Sequence, residues 1–163
     1  MAPAVNPGGT SFLLEAYYTC KDFETGSKMK GMEAGTRILG FEFGATSPHD
    51  QSTGQTTGRV QVKPLVIHKF VDKSSPLILQ ALVTNKMINE CKVTYYANKV
   101  DGTGKIKQFE ITLSKFLISS YNSEASAGEH GVIERFDMTY DKLLMIDVPS
   151  TKQVEYEWTQ ALA

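Results

Sequence analysis

Residues 132–141 read VIERFDMTYD. Val132, Glu134, Phe136, Met138 and Tyr140 share one parity, and Arg135, Asp137, Thr139 and Asp141 share the other. Successive side chains of a strand point to opposite faces, so this pattern predicts a strand with one apolar and one polar side. The same two-residue period recurs on either side of it. Residues 143–148 are apolar on both parities, which predicts cover on both faces. Val154, Tyr156 and Trp158 alternate with Gln153, Glu155 and Glu157 near the end of the chain. Upstream, Phe109, Ile111 and Leu113 alternate with Gln108, Glu110 and Thr112, and the run continues through residues 116–121. Val93, Tyr95 and Ala97 oppose Lys92, Thr94 and Tyr96, and Val60 and Val62 oppose Arg59, Gln61 and Lys63 until Pro64 breaks the ladder. In residues 36–44, Leu39, Phe41 and Phe43 are expected on one face and Gly40 and Glu42 on the other; residues 12–19 form a further apolar, aromatic run. Seven or eight strands joined by turns such as Asp101-Gly102-Thr103-Gly104 predict an antiparallel barrel or sandwich.

One segment departs from the pattern. Ser74-Ser75-Pro76 followed by LILQALVTNK presents a serine N-cap, a proline at the helix start and a lysine near its end. Gln80 and Thr84 form a narrow polar stripe one turn apart, while Leu77, Ile78, Leu79, Ala81, Leu82 and Val83 cover the rest. A helix this apolar is expected to be covered on more than one side, by the barrel and by either loops or a second subunit. Three connections are long: 21–35, 45–58 and 122–131. The second, ATSPHDQSTGQTTG, has no large apolar residue and reads as a loop without structure of its own. Fully extended it spans about 45 Å.

With 163 residues, 41% hydrophobic and 10% aromatic, the chain suits one folded domain over 11–163, preceded by a flexible extension over 1–10. Its 17 Lys+Arg balance 18 Asp+Glu, which argues against a nucleic-acid partner. No apolar run reaches the roughly 18–20 residues of a membrane-spanning helix, so no membrane insertion is expected. Residues 1–10 lack the basic and apolar stretches of a secretory signal, so a cytoplasmic origin with Cys20 and Cys91 reduced is expected.

A search for chemistry returns little. His49, His68 and His130 stand apart from any zinc-like spacing, and the carboxylates at 137, 141, 155 and 157 occupy polar strand faces. Phosphate-binding loops and nucleophile elbows do not occur. No enzyme activity, metal or cofactor is expected.

Residues 59–91, RVQVKPLVIHKFVDKSSPLILQALVTNKMINEC, closely resemble the signature of the haemolysin-coregulated protein family, Hcp, of the bacterial type VI secretion system. There a strand, the sequence (V/I)DK(S/A)SP, a Leu-rich helix and a short link to the next strand follow in that order. The likeness extends through RILGFEFGAT (37–46), QFEITLSKFLISSYNS (108–123), VIERFDMTYDKLLMIDVP (132–149) and YEWT (156–159). Residues 1–10 have no counterpart, and 21–35 is longer than the family pattern. The resemblance implies a mainly β, phage tail-tube-like fold: an antiparallel β-barrel of two packed sheets with one flanking α-helix. It also implies homohexameric rings stacked into the inner tube of a contractile machine, with a spike protein, a contractile sheath and small secreted effectors as partners. Assembly is expected in the cytoplasm, with export on sheath contraction and no signal peptide.

On this reading Ser47, His49, Asp50, Gln51, Gln80 and Thr84 are candidate contacts between subunits or rings, and Glu42 is a candidate lumen-facing residue. No C-terminal toxin domain is expected beyond Ala163. At −1 per chain a hexamer carries only about −6, so self-repulsion against stacking is small. A tube protein of another contractile injection system fits the same residues. A small-ligand-binding barrel is a reading of a different class, and it needs a polar cavity where the strand pattern places Leu, Phe, Tyr and Val.

Overall fold

The computed structural model of the chain describes residues 4–5, 11–12, 15–23, 35–98, 102–125 and 131–157. In chain order the strands are β1 (Ala4–Val5), β2 (Ser11–Phe12), β3 (Ala16–Thr19), β4 (Gly35–Ile38), β5 (Gly40–Glu42), β6 (Ala45–Thr46), β7 (Gln61–Val62), β8 (Leu65–Phe70), β9 (Ile88–Asn98), β10 (Lys105–Glu124), β11 (Ile133–Asp147) and β12 (Lys152–Glu157). A 3-10 turn at Lys21–Phe23 follows β3, and the helix α1 (Ser75–Val83) lies between β8 and β9. β1 pairs antiparallel with β2. Residues 24–34, 99–101, 126–130 with His130, and 158–163 with Trp158 lie outside the described residues.

One antiparallel sheet of eight strands runs in the order β4-β3-β9-β10-β11-β8-β5, with β12 beside the second half of β11. β4 and β5 stand at opposite ends of that order yet are consecutive in sequence. The chain pairs with β3 through β4, turns at Leu39, whose N–H donates to the His68 carbonyl at 2.7 Å, and pairs with β8 through β5. One short run thereby bridges both edges and nearly closes the sheet into a barrel, leaving few unpaired edge groups. The expected alternation breaks at this crossing. Phe41 and Phe43 pack on the core and Glu42 is exposed, but Leu39 is exposed too, because the bend turns it away from its neighbours.

A second departure from strict alternation makes the barrel's corner. Buried apolar positions on β9, β10 and β11 run in twos except at one level, where they are three apart: Ile88 and Cys91, Leu113 and Phe116, Tyr140 and Leu143. These residues pair across the strands, Phe116 with both Ile88 and Tyr140, and Leu113 with both Cys91 and Leu143. All three strands therefore switch faces together, with Lys115 at φ 52° between Leu113 and Phe116. The left-handed conformation folds the long ribbon over the core, where Ile67, Ile111, Phe136 and Met138 are fully buried.

Three expectations need correction. The residues 45–58 are not structureless: β6 and β7 pair, His49 bridges to Thr56, and the segment is a β-hairpin arm. Folding back halves its reach, to about 20 Å for the six residues of each limb. Val60 and Val154 are exposed, and Val132 is 40% exposed just ahead of β11. Residues 143–148 are only half-buried apart from Leu143.

The corner is open to test. Lys115→Val places a β-branched residue at positive φ and is expected to cost about 1–3 kcal/mol in urea unfolding, while Lys115→Gly is expected to be neutral or stabilising. Equal stabilities of the Val and Gly variants would exclude a strained corner.

Candidate functional site

Two features stand out from the barrel, and both follow from local sequence. The first is the hairpin arm. Its tip is tied by Asp50, whose carboxylate accepts from the Ser52 N–H at 2.7 Å, the Ser52 hydroxyl at 2.6 Å and the Thr53 N–H at 3.3 Å. These donors, led by the Ser52 side chain, hold the Asp50 carboxyl below the usual range. The Gly54 N–H donates to the Asp50 carbonyl with Gly54 at φ 70°, and the Asp50 N–H to the Gln55 carbonyl, each at 2.8 Å. Thr57 donates to the Pro48 carbonyl at 2.9 Å, and Gly58 lies so near the Pro48 ring that a Cβ there would stand 3.0 Å from it. At the base, the Lys63 N–H donates to Gly44 and the Lys63 carbonyl accepts the Tyr140 hydroxyl at 3.2 Å, fixing the arm to β11.

Of the four candidates on the arm, Ser47, His49 and Asp50 are engaged locally. His49 Nδ1 lies 2.7 Å from the Ser47 carbonyl, and Asp50 organises the turn. Gln51 is exposed at the tip. Glu42 is exposed at the arm's root, with an oxygen 3.9 Å from His68 Nε2.

The second feature is α1. Only Ser75, Ile78 and Ala81 are buried, with Leu82 packed beside them. Among the described residues the expected cover on more than one side is absent: Leu77 and Leu79 are each 43% exposed and Val83 is 73% exposed. Gln80 and Thr84 run between these, and the Thr84 hydroxyl bonds back to the Gln80 carbonyl at 2.8 Å. Asn85 at φ 50° ends the helix, with the Asn85 N–H on the Leu82 carbonyl and the Lys86 N–H on the Ala81 carbonyl.

The helix start is held differently from expectation. Ser74 is at the N-cap, but its hydroxyl makes no capping bond; it donates to Asp72. Ser74 is itself in the helical region, at φ −81° and ψ −18°, rather than in the extended conformation from which an N-cap oxygen accepts a backbone N–H. Asp72, the acceptor of its hydroxyl proton, also pairs with Lys69 Nζ at 3.0 Å. Lys69 is fully buried and pairs with Glu134, also fully buried on β11. Glu134 accepts from the Ser75 hydroxyl at 2.9 Å and from the Tyr121 hydroxyl at 2.6 Å. Burial and then the bond to Glu134 push the Tyr121 phenol up to about 12. One satisfied cluster thus joins β8, β10, β11 and the first turn of α1. For Asp72, burial pushes upward, but the Ser74 hydroxyl and Lys69 outweigh it and hold the carboxyl below its usual range.

Sequence reasoning missed Lys69, Glu134 and Tyr121. The signal for Glu134 was present: it shares the apolar parity of Phe136 and Met138, and a carboxylate there needs a buried partner. Nothing local identifies that partner, since Ser75 is 59 residues away.

Among the described residues no three His, Cys, Asp or Glu side chains converge as a metal site. No helix there is long and apolar enough to cross a membrane. The exposed features are suited to contact with protein.

A sequence model of the family described as "Type VI secretion system effector, Hcp" matches residues 17–145. The chain belongs to the Hcp family. That family consists of secreted structural proteins of type VI secretion, not enzymes. Over 74 residues the chain is 35% identical to the "Major exported protein" of Pseudomonas aeruginosa, covering 45% of this chain and 43% of that one. "Protein hcp1" of the same organism is 30% identical over 82 residues, 50% of this chain and 49% of that protein. The chain thus spans about half the length of the curated relatives it matches. Whole-fold likeness is broader. A crystal structure of an Hcp protein superposes with a TM-score of 0.81 at 19% identity, covering 88% of this chain and 98% of the other. The Hcp1 protein of an enteroaggregative E. coli gives 0.78 at 17% identity, over 91% and 99%. Secreted protein Hcp3 from Pseudomonas aeruginosa gives 0.67 at 20% identity, over 89% and 98%. The expected barrel with one flanking helix is therefore the fold of this Hcp chain.

Two outcomes test the cluster. Glu134→Gln takes from Lys69 its fully buried counter-charge, leaving it only Asp72 and the Phe70 carbonyl, and is expected to lower stability by about 3–5 kcal/mol, whereas Lys69→Met with Glu134→Leu recovers most of it. A fall under about 1 kcal/mol for the single variant would show the pair is not coupled. The depressed Asp72 carboxyl stabilises the fold above its unfolded pKa, near 3.9, and that share is lost as pH falls through the lower folded value. Asp72→Asn is therefore expected to be less stable at pH 7 and to show a flatter acid limb in chemical unfolding; an unchanged limb would discount this group.

Proposed function

We propose that this chain is the repeating subunit of the type VI inner tube, forming hexameric rings that stack head to tail. The supporting observation is the outward side of α1, where Leu77, Leu79 and Val83 stay exposed on a helix pinned by a buried ion pair. A pinned apolar face favours a preorganised contact, because little ordering entropy remains to be lost on association. A heterologous contact repeated by a closing rotation gives a ring, and a second that does not close gives a tube.

The hairpin arm suits the second contact. It is polar, nearly uncharged and about 20 Å long, with the outer edges of β6 and β7 able to pair with another chain. Ser47, His49, Asp50 and Gln51 then serve the contact as a shaped turn, with Gln51 at its tip. Gln80 and Thr84 provide the polar element of the ring contact. Glu42 is assigned to the ring lumen, where small effectors travel. Assembly takes place in the cytoplasm against a spike and within a sheath, and contraction exports the tube.

Light scattering of the purified chain, followed by negative-stain imaging, tests this. The expected result is a six-subunit mass and ring images with a central hole. A strict monomer at micromolar concentration would count against it. Leu79→Asp with Val83→Asp is expected to reduce the mass to that of a monomer with the fold intact. Replacing residues 47–57 by a short turn is expected to leave rings that no longer stack, and tubes of normal length from that variant would remove the arm from the axial contact.

A further inference from the structure

β3 and β9 are antiparallel neighbours, with Ala16 opposite Tyr95, Tyr18 opposite Val93 and Thr19 opposite Lys92. One step further along this register, Cys20 stands opposite Cys91. Both are buried, at 3% and 1% exposure, in the same core cluster. The Tyr96 N–H donates to the Glu15 carbonyl at 2.8 Å, which marks 15 and 96 as a hydrogen-bonded pair. Counting in steps of one, 16/95, 18/93 and 20/91 are non-hydrogen-bonded pairs. At such positions the Cα atoms approach to about 4.5 Å and the side chains point the same way, within the span a disulfide bridges.

The surroundings agree with that placement. The Tyr18 hydroxyl is buried with no nitrogen or oxygen partner, and it lies against both thiols. Cys91 Sγ is 4.0 Å from Met138 Sδ. Burial pushes both thiols above their usual range, which keeps them protonated and slow to react. Beside these two strands a surface cavity of about 490 Å³ is lined by Thr19, Lys21, Ile88, Glu90 and Lys92. It brings solvent close to the end of β3, where the chain leaves the ladder for the 3-10 turn.

We infer that Cys20 and Cys91 are a facing dithiol that closes to an intrachain disulfide when the protein meets an oxidising medium, stapling β3 to β9. The oxidant is a small disulfide of the glutathione type. One cysteine, as thiolate, attacks the small disulfide and releases one small thiol. The second then attacks the mixed disulfide, forms the Cys20–Cys91 bond and releases the other small thiol. Two electrons pass to the small disulfide and the two protons end on the released thiols. In a reducing cytoplasm the pair stays as two thiols. The pairing rests on strand register alone; only its occasion, departure from the cell, rests on the exported-tube reading.

The test uses the full chain incubated with oxidised glutathione, then denatured, alkylated and mapped without reduction. The expected result is an intact mass lower by two hydrogens, a Cys20–Cys91 linked peptide and no alkylated cysteine, with a raised melting temperature that dithiothreitol reverses. Cys20→Ala and Cys91→Ala should each show no linked peptide and no reversible rise. Complete alkylation of both cysteines in the treated wild type would overturn the inference, as would linkage only between chains. Because the readout is the peptide map, it holds even if an alanine variant folds poorly. Negative-stain images of the same samples report separately on rings, so failure to assemble and failure to oxidise are told apart.

Discussion

The buried pair of Lys69 and Glu134 is the constraint on which the rest of this molecule turns. Two unit charges inside a barrel core cost several kcal/mol each to desolvate, and only close pairing with further hydrogen bonds offsets that. The structure supplies them: Ser75 and Tyr121 on the carboxylate, Asp72 and the Phe70 carbonyl on the ammonium. A cluster so specified tolerates one arrangement, and in that arrangement the first turn of α1 is bound to β11. The helix cannot roll to bury Leu79 and Val83 against its own barrel without breaking the cluster. Its apolar outer side is a consequence of polar bonds underneath it.

The barrel is built so that this helix and the arm are presented from one rigid body. Closure through Leu39 uses a single short run to serve both sheet edges, which leaves the following residues free to leave the barrel as the arm. The common face switch on β9, β10 and β11 bends the long ribbon over the core. Tyr140, at that corner, reaches the Lys63 carbonyl and so ties the arm's base to the same bend. Arm, corner and helix are therefore coupled through β11, which also carries Glu134.

Much of this was legible in the chain. Two-residue alternation located the long strands, and the serine-proline start located the helix, because both signals are set by local geometry. What escaped was non-local. Ser74 reads as a capping residue, but its backbone is already helical, so its oxygen caps no N–H and its hydroxyl donates to Asp72. The segment 45–58 looked structureless because its residues are polar, yet backbone bonds between its limbs and the Asp50 turn need no apolar side chains. Leu39 followed the parity of Phe41 until the bend at barrel closure reversed it. Cys20 and Cys91 looked unrelated at 71 residues apart, and only strand register brings them opposite. The contact candidates Ser47, His49 and Asp50 read as polar loop residues, yet the side chains of His49 and Asp50 bond within the arm and shape it.

The most direct measurement is hydrogen exchange at the amides of residues 75–83 in wild type and Glu134→Gln, under conditions where both remain folded. If the buried pair holds the helix to the barrel, the helix amides lose protection by several orders of magnitude in the variant while those of β10 around Ile111 and Leu113 remain slow. Unchanged helix protection, or a uniform loss across helix and barrel alike, would contradict the central role assigned to Lys69 and Glu134.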